Sequence, residues 1–307
     1  MTRRRGRDVP SSVRQRLLDF ARARGEDFQL VLTRFASERL LYRLGRSRHA
    51  DRFVLKGALL FALWTGRMLR PTRDVDLLGH GPPDAGDLVA IFREACGLDA
   101  GPDDGLRFHA DSVAAGPIRA DQEYEGVRVR LRVTLGRARI DLQVDVGFGD
   151  AVTPPAEYVE FPPLLDFPAP RIRAYPRETV VAEKYQAMVQ LGVANSRMKD
   201  FFDVWVMARE FAFDGVSLSD AIRATFERRR TAVPGRPPLA LTPGFGEDPA
   251  KGRQWQAFAS RSGAAASLPS LADVVEDLAR FLMPPSQAVA AGTEFPGRWE
   301  AGGPWSP

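Results

Sequence analysis

Asp74 and Asp76 are the two residues of this sequence whose type and spacing most directly indicate chemistry. They stand one residue apart in the run Asp-Val-Asp-Leu-Leu-Gly, which is typical of a strand. Because side chains alternate along a strand, both carboxylates point to one face and repel each other beside Leu77 and Leu78. A hard divalent cation removes this repulsion, and Mg²⁺ commonly takes one or two carboxylates together with substrate phosphates. The pair predicts metal-assisted phosphoryl or nucleotidyl transfer, although a strand end that meets solvent can carry the same pattern.

The turn in front of the pair strengthens the prediction. Lys56 and Gly57 follow a short apolar strand at 53–55 and precede an apolar helix at 58–65. A glycine there lets backbone N–H groups approach a phosphate at a helix N-terminus, and Lys56 adds positive charge. A Lys-Gly turn alone is a weak signal, but this one is followed by helix, turn and Asp-X-Asp.

A third carboxylate is predicted on a separate hairpin. Apolar residues alternate with arginines over 127–135, Gly136-Arg137 forms a turn, and alternation resumes over 140–146. The second strand carries Asp145 and Asp141 on one face. Asp145, or alternatively Asp141, would join the pair, and three carboxylates could hold two Mg²⁺ ions. One ion would bind the triphosphate and the other would activate the attacking hydroxyl, with Asp145 available as base.

A second cluster of charges follows in the C-terminal half. Lys184 stands at the edge of an apolar helical face, and Lys199 and Asp203 are four residues apart on the next predicted helix. The functional interpretation is that Lys184 and Lys199 neutralise triphosphate charge from the opposite wall of the site, with Asp203 orienting one of them. The alternative is an ordinary surface ion pair, which contributes only a few tenths of a kcal/mol, on the order of 0.3.

The surrounding patterns predict an α+β protein in four parts. These are a basic disordered tail at 1–10, an α/β core at 11–176, a helical domain at 177–285 and a loose tail at 286–307. Within them we expect a first helix capped by Ser11 or Ser12, a Pro-rich loop over 154–176 and a long irregular crossing over 231–270. Further helices are expected at 27–44, 87–96, 178–191, 196–211, 218–230 and 270–283.

Composition narrows the class of protein. The chain has 307 residues, 44% hydrophobic and 27% charged, with a formal net charge of +4. A single cysteine, Cys96, excludes an intramolecular disulfide framework and fits a reducing cytoplasm, and three histidines leave little scope for Cys-His zinc sites. No apolar run reaches membrane-spanning length. Arginine clusters at 3–7, 128–139 and 228–230 suit a polyanionic partner or, equally, solvated faces.

Two longer segments contain these motifs: LKGALLFALWTGRMLRPTRDVDLLG, from Leu55, and EKYQAMVQLGVANSRMKDFFDVW, from Glu183. Together they resemble the nucleotidyltransferase AbiEii toxin family, a branch of the DNA polymerase β-like nucleotidyltransferase superfamily. The resemblance extends over about 28–285. The family includes mycobacterial MenT-type toxins, which add nucleotides to tRNA acceptor ends. It implies a polymerase β-like core, a five-stranded type of mixed β-sheet flanked by helices, followed by a mainly helical C-terminal half.

The resemblance also implies roles for individual residues. Asp74 and Asp76 match the family's metal-binding pair and Lys56 the lysine of its first block. Lys184 matches the lysine of the second block, and Asp200 or Asp203 its catalytic-type aspartate. Where the superfamily usually has a small hydroxyl residue after the glycine turn, this chain has Ala58. Lys56, Thr72 and backbone amides would then have to hold the triphosphate, with Lys184, Lys199 and Asp200 completing the expected nucleotide-binding set.

The leading functional hypothesis is an EC 2.7.7-type, Mg²⁺-dependent nucleotidyltransferase toxin of a type IV toxin–antitoxin (AbiE-like) system. It would transfer a nucleotide from an NTP to RNA, with the tRNA 3′ end as the expected acceptor, and so block translation. The expected antitoxin is AbiEi-like and acts mainly at DNA or indirectly. Two alternatives stay open: transfer to a protein or small molecule, and a catalytically silent NTP- or RNA-binding module.

Overall fold

The computed structural model describes residues 8–99, 101–118, 126–262 and 268–307. The arginine-rich residues 1–7, which make up most of the predicted basic tail, lie outside the described part. The chain divides into two compact units. Unit 1 comprises 1–149 and 157–174, and unit 2 comprises 150–156 and 175–307. The predicted class, α+β with a mixed sheet and a mainly helical C-terminal half, is confirmed.

Unit 1 is built around a seven-stranded mixed sheet with the strand order β3-β4-β5-β2-β1-β7-β6. Its helices are α1 (Val9–Arg24), α2 (Phe28–Arg46), α3 (Leu59–Thr65) and α4 (Ala85–Gly97). Its strands are β1 (Phe53–Lys56), β2 (Asp74–Gly79), β3 (Leu106–Pro117), β4 (Gly126–Leu135), β5 (Ala138–Phe148), β6 (Glu157–Glu160) and β7 (Arg171–Ala174).

Several elements of unit 1 differ from the expectations. Helix α1 begins at Val9 and is capped by Asp8, whose carboxylate accepts from the Ser11 N–H, so the predicted serine cap is wrong. The Pro-rich loop contains β6 and β7, and β7 pairs in parallel with β1, one strand in from the edge of the sheet that β6 forms. A strand of four residues has too short a pattern to be predicted, and it forms because it pairs with β1. No pattern predicted β3, because polar residues and a bulge between His109 and Ala114 interrupt its alternation.

Unit 2 is mainly helical. Its helices are α5 (Arg177–Leu191), α6 (Met198–Glu210), α7 (Gly215–Arg228), α8 (Pro243–Gly246), α9 (Pro249–Ser262) and α10 (Leu271–Ala291). Three two-residue strands, β8 (Phe213–Asp214), β9 (Arg298–Trp299) and β10 (Trp305–Ser306), form a small antiparallel sheet. The expected irregular crossing over 231–270 therefore contains two helices.

The predicted loose tail is also wrong. Helix α10 continues through Pro284 and Pro285 to Ala291, and the hydroxyl of Ser286, in its extension, donates to the Pro234 carbonyl at 2.7 Å. Trp299 is only 5% exposed, and its ring centroid lies 4.9 Å from that of Phe281. These packing contacts fix the position of the segment 286–307. Because they form only in the folded protein, local composition could not predict them. None of the helices in the described part of the chain is long and apolar enough to cross a membrane.

Candidate active site

The sheet of unit 1 brings the predicted carboxylates together on one face. Val75 is buried between the partly exposed Asp74 and Asp76, so the two aspartates point to the same side of β2, as predicted. Strand β5 pairs in parallel with β2, and Asp145 lies opposite Asp76. Residues opposite each other in a sheet have their side chains on the same face. The structure therefore places Asp145 beside the pair.

The structure also decides between Asp145 and Asp141. The first residue of β2, Asp74, pairs with Gln143, so Asp141 lies two residues beyond the end of β2 along β5. Its carboxylate is 73% exposed and lies 3.6 Å from the Nε atoms of Arg132 and Arg139. Asp141 therefore does not lie next to the pair.

Arg128 occupies a position that sequence reasoning did not assign to the site. Its Nε donates to Oδ1 of Asp145 at 2.8 Å and its Nη2 donates to Oδ2 at 2.7 Å, a bidentate pair. The bond to Asp145 raises the pKa of Arg128, with further contributions from the charges of Asp74 and Asp76. A signal for this contact was present in the sequence, since a two-residue hairpin turn at Gly136-Arg137 fixes the register that sets Arg128 opposite Asp145.

This pairing changes the expected metal site. Among the residues that the structure describes, no three His, Cys, Asp or Glu side chains are grouped so that they could hold a metal ion. Both oxygens of Asp145 accept hydrogen bonds from Arg128, so Asp145 is paired with an arginine here, and the two-ion site expected from three carboxylates stays a prediction. Asp74 and Asp76 remain as a pair of carboxylates on one face, a donor set that fits a single Mg²⁺ completed by water and substrate phosphates.

Gly57 is required at the turn for two reasons. Its φ of +74° is a left-handed conformation that favours glycine. A β-carbon at this position would also lie 2.7 Å from Cγ of Asp76, closer than two such atoms can approach. Lys56, the last residue of β1, lies directly opposite Asp76 in the antiparallel pairing with β2. The predicted Lys-Gly turn thus lies against one of the two candidate metal ligands.

Thr72, Ala58 and the N-terminus of α3, which were also predicted to belong to the site, make fewer contacts that support a role in binding phosphate. The hydroxyl of Thr72 makes a long hydrogen bond, 3.4 Å, to the backbone carbonyl of Asp74, which orients the chain as it enters β2. Ala58 is 3% exposed and carries no hydroxyl. Helix α3 is only seven residues long, so the expected helix N-terminus is a weaker feature than the pattern suggested.

Unit 2 brings the second group of predicted residues together separately. Nζ of Lys184, on α5, lies 2.8 Å from Oδ1 of Asp200 and 2.8 Å from Oδ2 of Asp203, both on α6. The two aspartate side chains are 1% exposed and the lysine side chain is 14% exposed. Nε of Arg197 lies 2.8 Å from the other oxygen of Asp200. We call these four residues the Lys184 cluster.

The Lys184 cluster answers two questions that the sequence left open. Both Asp200 and Asp203 bind Lys184, so the two candidates for the second-block aspartate act on the same lysine. Asp203 is buried, which excludes a purely surface ion pair with Lys199. Lys199 itself is exposed on the first turn of α6.

A polar network next to Lys184 was not predicted. Arg229 Nη2 lies 3.2 Å from Oδ1 of Asp150 and 3.3 Å from Oε1 of Glu183, and the Tyr175 hydroxyl contacts both carboxylates at 3.2 and 3.3 Å. Burial, together with the charges of Glu183 and Asp150, raises the pKa of Tyr175 well above its usual value. The network joins separated segments of unit 2, so no local sequence pattern could have revealed it.

Comparison with known proteins agrees with the class that this geometry indicates. The family model described as "Nucleotidyl transferase AbiEii toxin, Type IV TA system" matches residues 39–277. The chain therefore belongs to the AbiEii nucleotidyltransferase toxin family, and the resemblance noted from the motifs is confirmed. No curated protein matches the sequence significantly.

Two solved structures from Helicobacter pylori are similar. One is described as a candidate nucleotidyltransferase; it is 15% identical, with 87% of this chain and 96% of that chain covered and a TM-score of 0.49. The other, JHP933, is 14% identical, with 87% and 94% covered and a TM-score of 0.48.

Proposed function

We propose that this protein transfers a nucleotide from an NTP to a hydroxyl group of an RNA acceptor, the tRNA 3′ end, in a reaction that depends on Mg²⁺. The observation that carries the proposal is the position of Asp76, which shares a strand face with Asp74 and lies against Gly57 and opposite Lys56. Two carboxylates for a metal ion beside a lysine and a glycine turn are the groups that bind a metal-bound triphosphate. Membership of a nucleotidyltransferase family supports the same reaction class.

In the proposed reaction, Asp74 and Asp76 hold the metal ion, which when bound stabilises negative charge on the phosphate being transferred. Lys56 and the backbone at Gly57 bind the triphosphate. The acceptor oxygen forms a bond to the α-phosphorus as the bond from that phosphorus to the leaving pyrophosphate breaks. The acceptor's proton passes to Asp145 if Arg128 releases one of its oxygens, and to solvent otherwise.

The Lys184 cluster is the second part of the proposal. The role expected of Lys184 and the exposed Lys199, binding triphosphate charge, stays a prediction, and we assign Asp200 and Asp203 to orienting Lys184. The two 2.8 Å contacts from Lys184 to these buried aspartates support the orienting role, because they fix the ammonium group in one position. Addition of a nucleotide to tRNA would prevent aminoacylation and so block translation in the cytoplasm, with an AbiEi-like antitoxin opposing the effect.

A direct assay tests the proposal. Purified protein is incubated with Mg²⁺, total tRNA and each α-³²P-labelled NTP separately, and the products are separated on a denaturing gel. We expect a labelled tRNA band with at least one NTP, and no band with Asp76→Ala or in EDTA. A labelled band that survives RNase would instead identify a protein acceptor. The absence of any product in the presence of every NTP and acceptor would contradict the proposal.

One observation favours a second candidate, a silent NTP- or RNA-binding module. Ala58 is buried directly after the glycine turn and provides no hydroxyl to hold a phosphate. This alternative predicts that labelled NTP binds without turnover and that Asp76→Ala leaves any cellular toxicity unchanged. Measuring NTP binding alongside label transfer separates the two.

A further inference from the structure

One face of the unit 1 sheet is covered by helices, and the opposite face carries polar side chains over β3, β4 and β5. On the covered face, the ring of Phe53 from β1 contacts that of Phe92 from α4 edge-on at 5.9 Å between centroids. On β4 the buried Val127, Val129 and Leu131 point to this covered face. The residues between them are arginines, which therefore point to the opposite face, the one that carries Asp74 and Asp76.

Strand pairing arranges this polar face in rows. Arg128 lies opposite Asp145, which lies opposite Asp76; in the next row Arg130 lies opposite Gln143, which pairs with Asp74. The third row contains Arg132 and Asp141, together with His109 from β3. The arginines of β4 are two residues apart, about 6.8 Å. They form a line that begins level with Asp76, passes Asp74 and continues beyond the start of β2.

The charge on this surface is positive. Five arginines face two aspartates on the polar side of β3, β4 and β5, namely Arg107, Arg128, Arg130, Arg132 and Arg139 against Asp141 and Asp145. Arg130 is exposed and forms no ion pair with any residue that the structure describes. Arg132 and Arg139 contact Asp141 only at 3.6 Å, and their side chains are 43% and 59% exposed. Most of their guanidinium donors can therefore bind phosphate oxygens.

We propose that a single RNA strand lies along β4, with its phosphates on Arg130 and Arg132 and its 3′ end directed toward Arg128 and Asp76. The inference rests on the proposed function, since it names the surface that brings the acceptor end to the reaction. A repeating line of cations that ends beside a phosphoryl-transfer site matches a repeating polyanion whose terminus reacts. On β3, β4 and β5 the described residues of this face include no Phe, Tyr or Trp side chain, so contacts there are to the RNA backbone and tolerate many sequences.

Binding can be measured without the reaction. Fluorescence anisotropy with a 5′-fluorescein-labelled 12-nucleotide single-stranded RNA, in the absence of NTP and Mg²⁺, gives Kd over a series of KCl concentrations. We expect Arg130→Gln/Arg132→Gln to weaken binding about tenfold at low salt. Because this double variant neutralises two fewer phosphates, the slope of log K against log salt should become shallower by about 1.4, at about 0.7 per phosphate. Arg130→Lys/Arg132→Lys should retain most of the affinity and also report that the doubly substituted strand folds.

Arg93→Gln is the matched control, because Arg93 is an exposed arginine on α4, the helix that covers the opposite face of the same sheet. If Arg93→Gln weakens RNA binding as much as the double variant does, or if the double variant binds like the wild type, the assignment of the β4 surface is wrong.

The transfer assay separates this inference from the proposed function. Label transfer with an unchanged KM for tRNA in the double variant would overturn the RNA surface and leave the function standing. RNA binding that depends on Arg130 and Arg132, without any label transfer, would support the RNA surface and contradict the proposed function.

Discussion

The two groups of predicted site residues differ in how their charges are arranged. In unit 1, Asp74 and Asp76 are partly exposed on the polar face of a sheet, and a third carboxylate, Asp145, is held by Arg128. In unit 2, Asp200 and Asp203 are buried and both contact Lys184. The first arrangement places two carboxylates of like charge side by side on one strand face, whereas the second balances positive and negative charge inside the protein.

This difference indicates whether each group of charged residues mainly affects the free energy of folding or the activation free energy of the reaction. Partly exposed carboxylates of like charge contribute little to folding, and their proximity is useful only when a cation binds them. A buried, hydrogen-bonded set of charges is costly to disrupt, because removal of one partner leaves the others desolvated without compensation. Changes at Asp74 and Asp76 should therefore alter activity with little loss of stability, and changes in the Lys184 cluster should alter both.

The largest expected effect is on catalysis in unit 1. We expect Asp76→Asn to reduce label transfer by about 10³-fold, about 4 kcal/mol in the barrier, because one of the two metal ligands loses its charge. The free energy of unfolding should change by only about 1 kcal/mol, because Asp76 is partly exposed and asparagine keeps its size and polarity. Transfer assays and urea unfolding on the same preparation check both values. A large loss of stability with Asp76→Asn would remove the contrast between the two regions.

The next largest effect is on the stability of unit 2. Lys184→Met leaves the buried carboxylates of Asp200 and Asp203 without their lysine, and we expect the free energy of unfolding to fall by about 3 kcal/mol. Arg280→Ala is the control, because Arg280 is 62% exposed and pairs with Asp277 and Glu276 at the surface. Its loss should cost less than about 0.5 kcal/mol. Equal unfolding curves for the two variants would show that the Lys184 cluster does not stabilise unit 2.

Two glycines of unit 1 allow an effect on activity to be separated from an effect on stability. Gly57 and Gly66 flank α3, and both have positive φ, +74° and +70°. An added β-carbon meets Asp76 at the first position and no atom within 4 Å at the second. We expect Gly57→Ala to reduce label transfer by about 100-fold, because displacement of Asp76 by a fraction of an ångström spoils the geometry of the site. Gly66→Ala should cost about 1 kcal/mol of stability from backbone strain and leave transfer intact.

The last prediction tests whether burial, rather than position in one unit, gives a carboxylate a role in stability. Glu38, on α2 of unit 1, is 1% exposed, and burial raises its pKa from 4.5 to about 7 against the opposing effects of the Leu164 N–H and the charge of Arg39. Because the folded state binds the proton more tightly than the unfolded state, this contribution to stability is complete below pH 4.5 and is lost as the pH rises through about 7.

Glu38→Gln should remove that dependence. Each pKa unit corresponds to about 1.4 kcal/mol, and we expect the variant to gain about 3 kcal/mol relative to the wild type between pH 4.5 and pH 8. Urea unfolding across this pH range measures the difference. Parallel pH profiles for the two proteins would show that folding does not raise the pKa of Glu38.

Much of the secondary structure could be predicted because it follows from local patterns. Helix α2 starts after Asp27, whose side chain accepts from the Leu30 N–H, and α5 follows the apolar spacing that begins at Val181. The elements that were wrong or missed are those whose own residues carry a weak signal. Strand β7 needs β1 as its partner, and the extension of α10 past its prolines needs Pro234 and Tyr185, both of which contact Ser286.

The sequence by itself determined which face of β2 carries Asp74 and Asp76, that Gly57 forms a turn, and that the Gly136-Arg137 hairpin places Arg128 opposite Asp145. These features depend on side-chain alternation and turn geometry, which operate over a few residues. Only the tertiary structure decided that β5 pairs with β2, so that Asp145 rather than Asp141 lies beside Asp76. It also decided that Lys184 contacts both Asp200 and Asp203. Contacts between distant segments depend on the packing of the whole core, and therefore cannot be predicted from a short stretch of sequence.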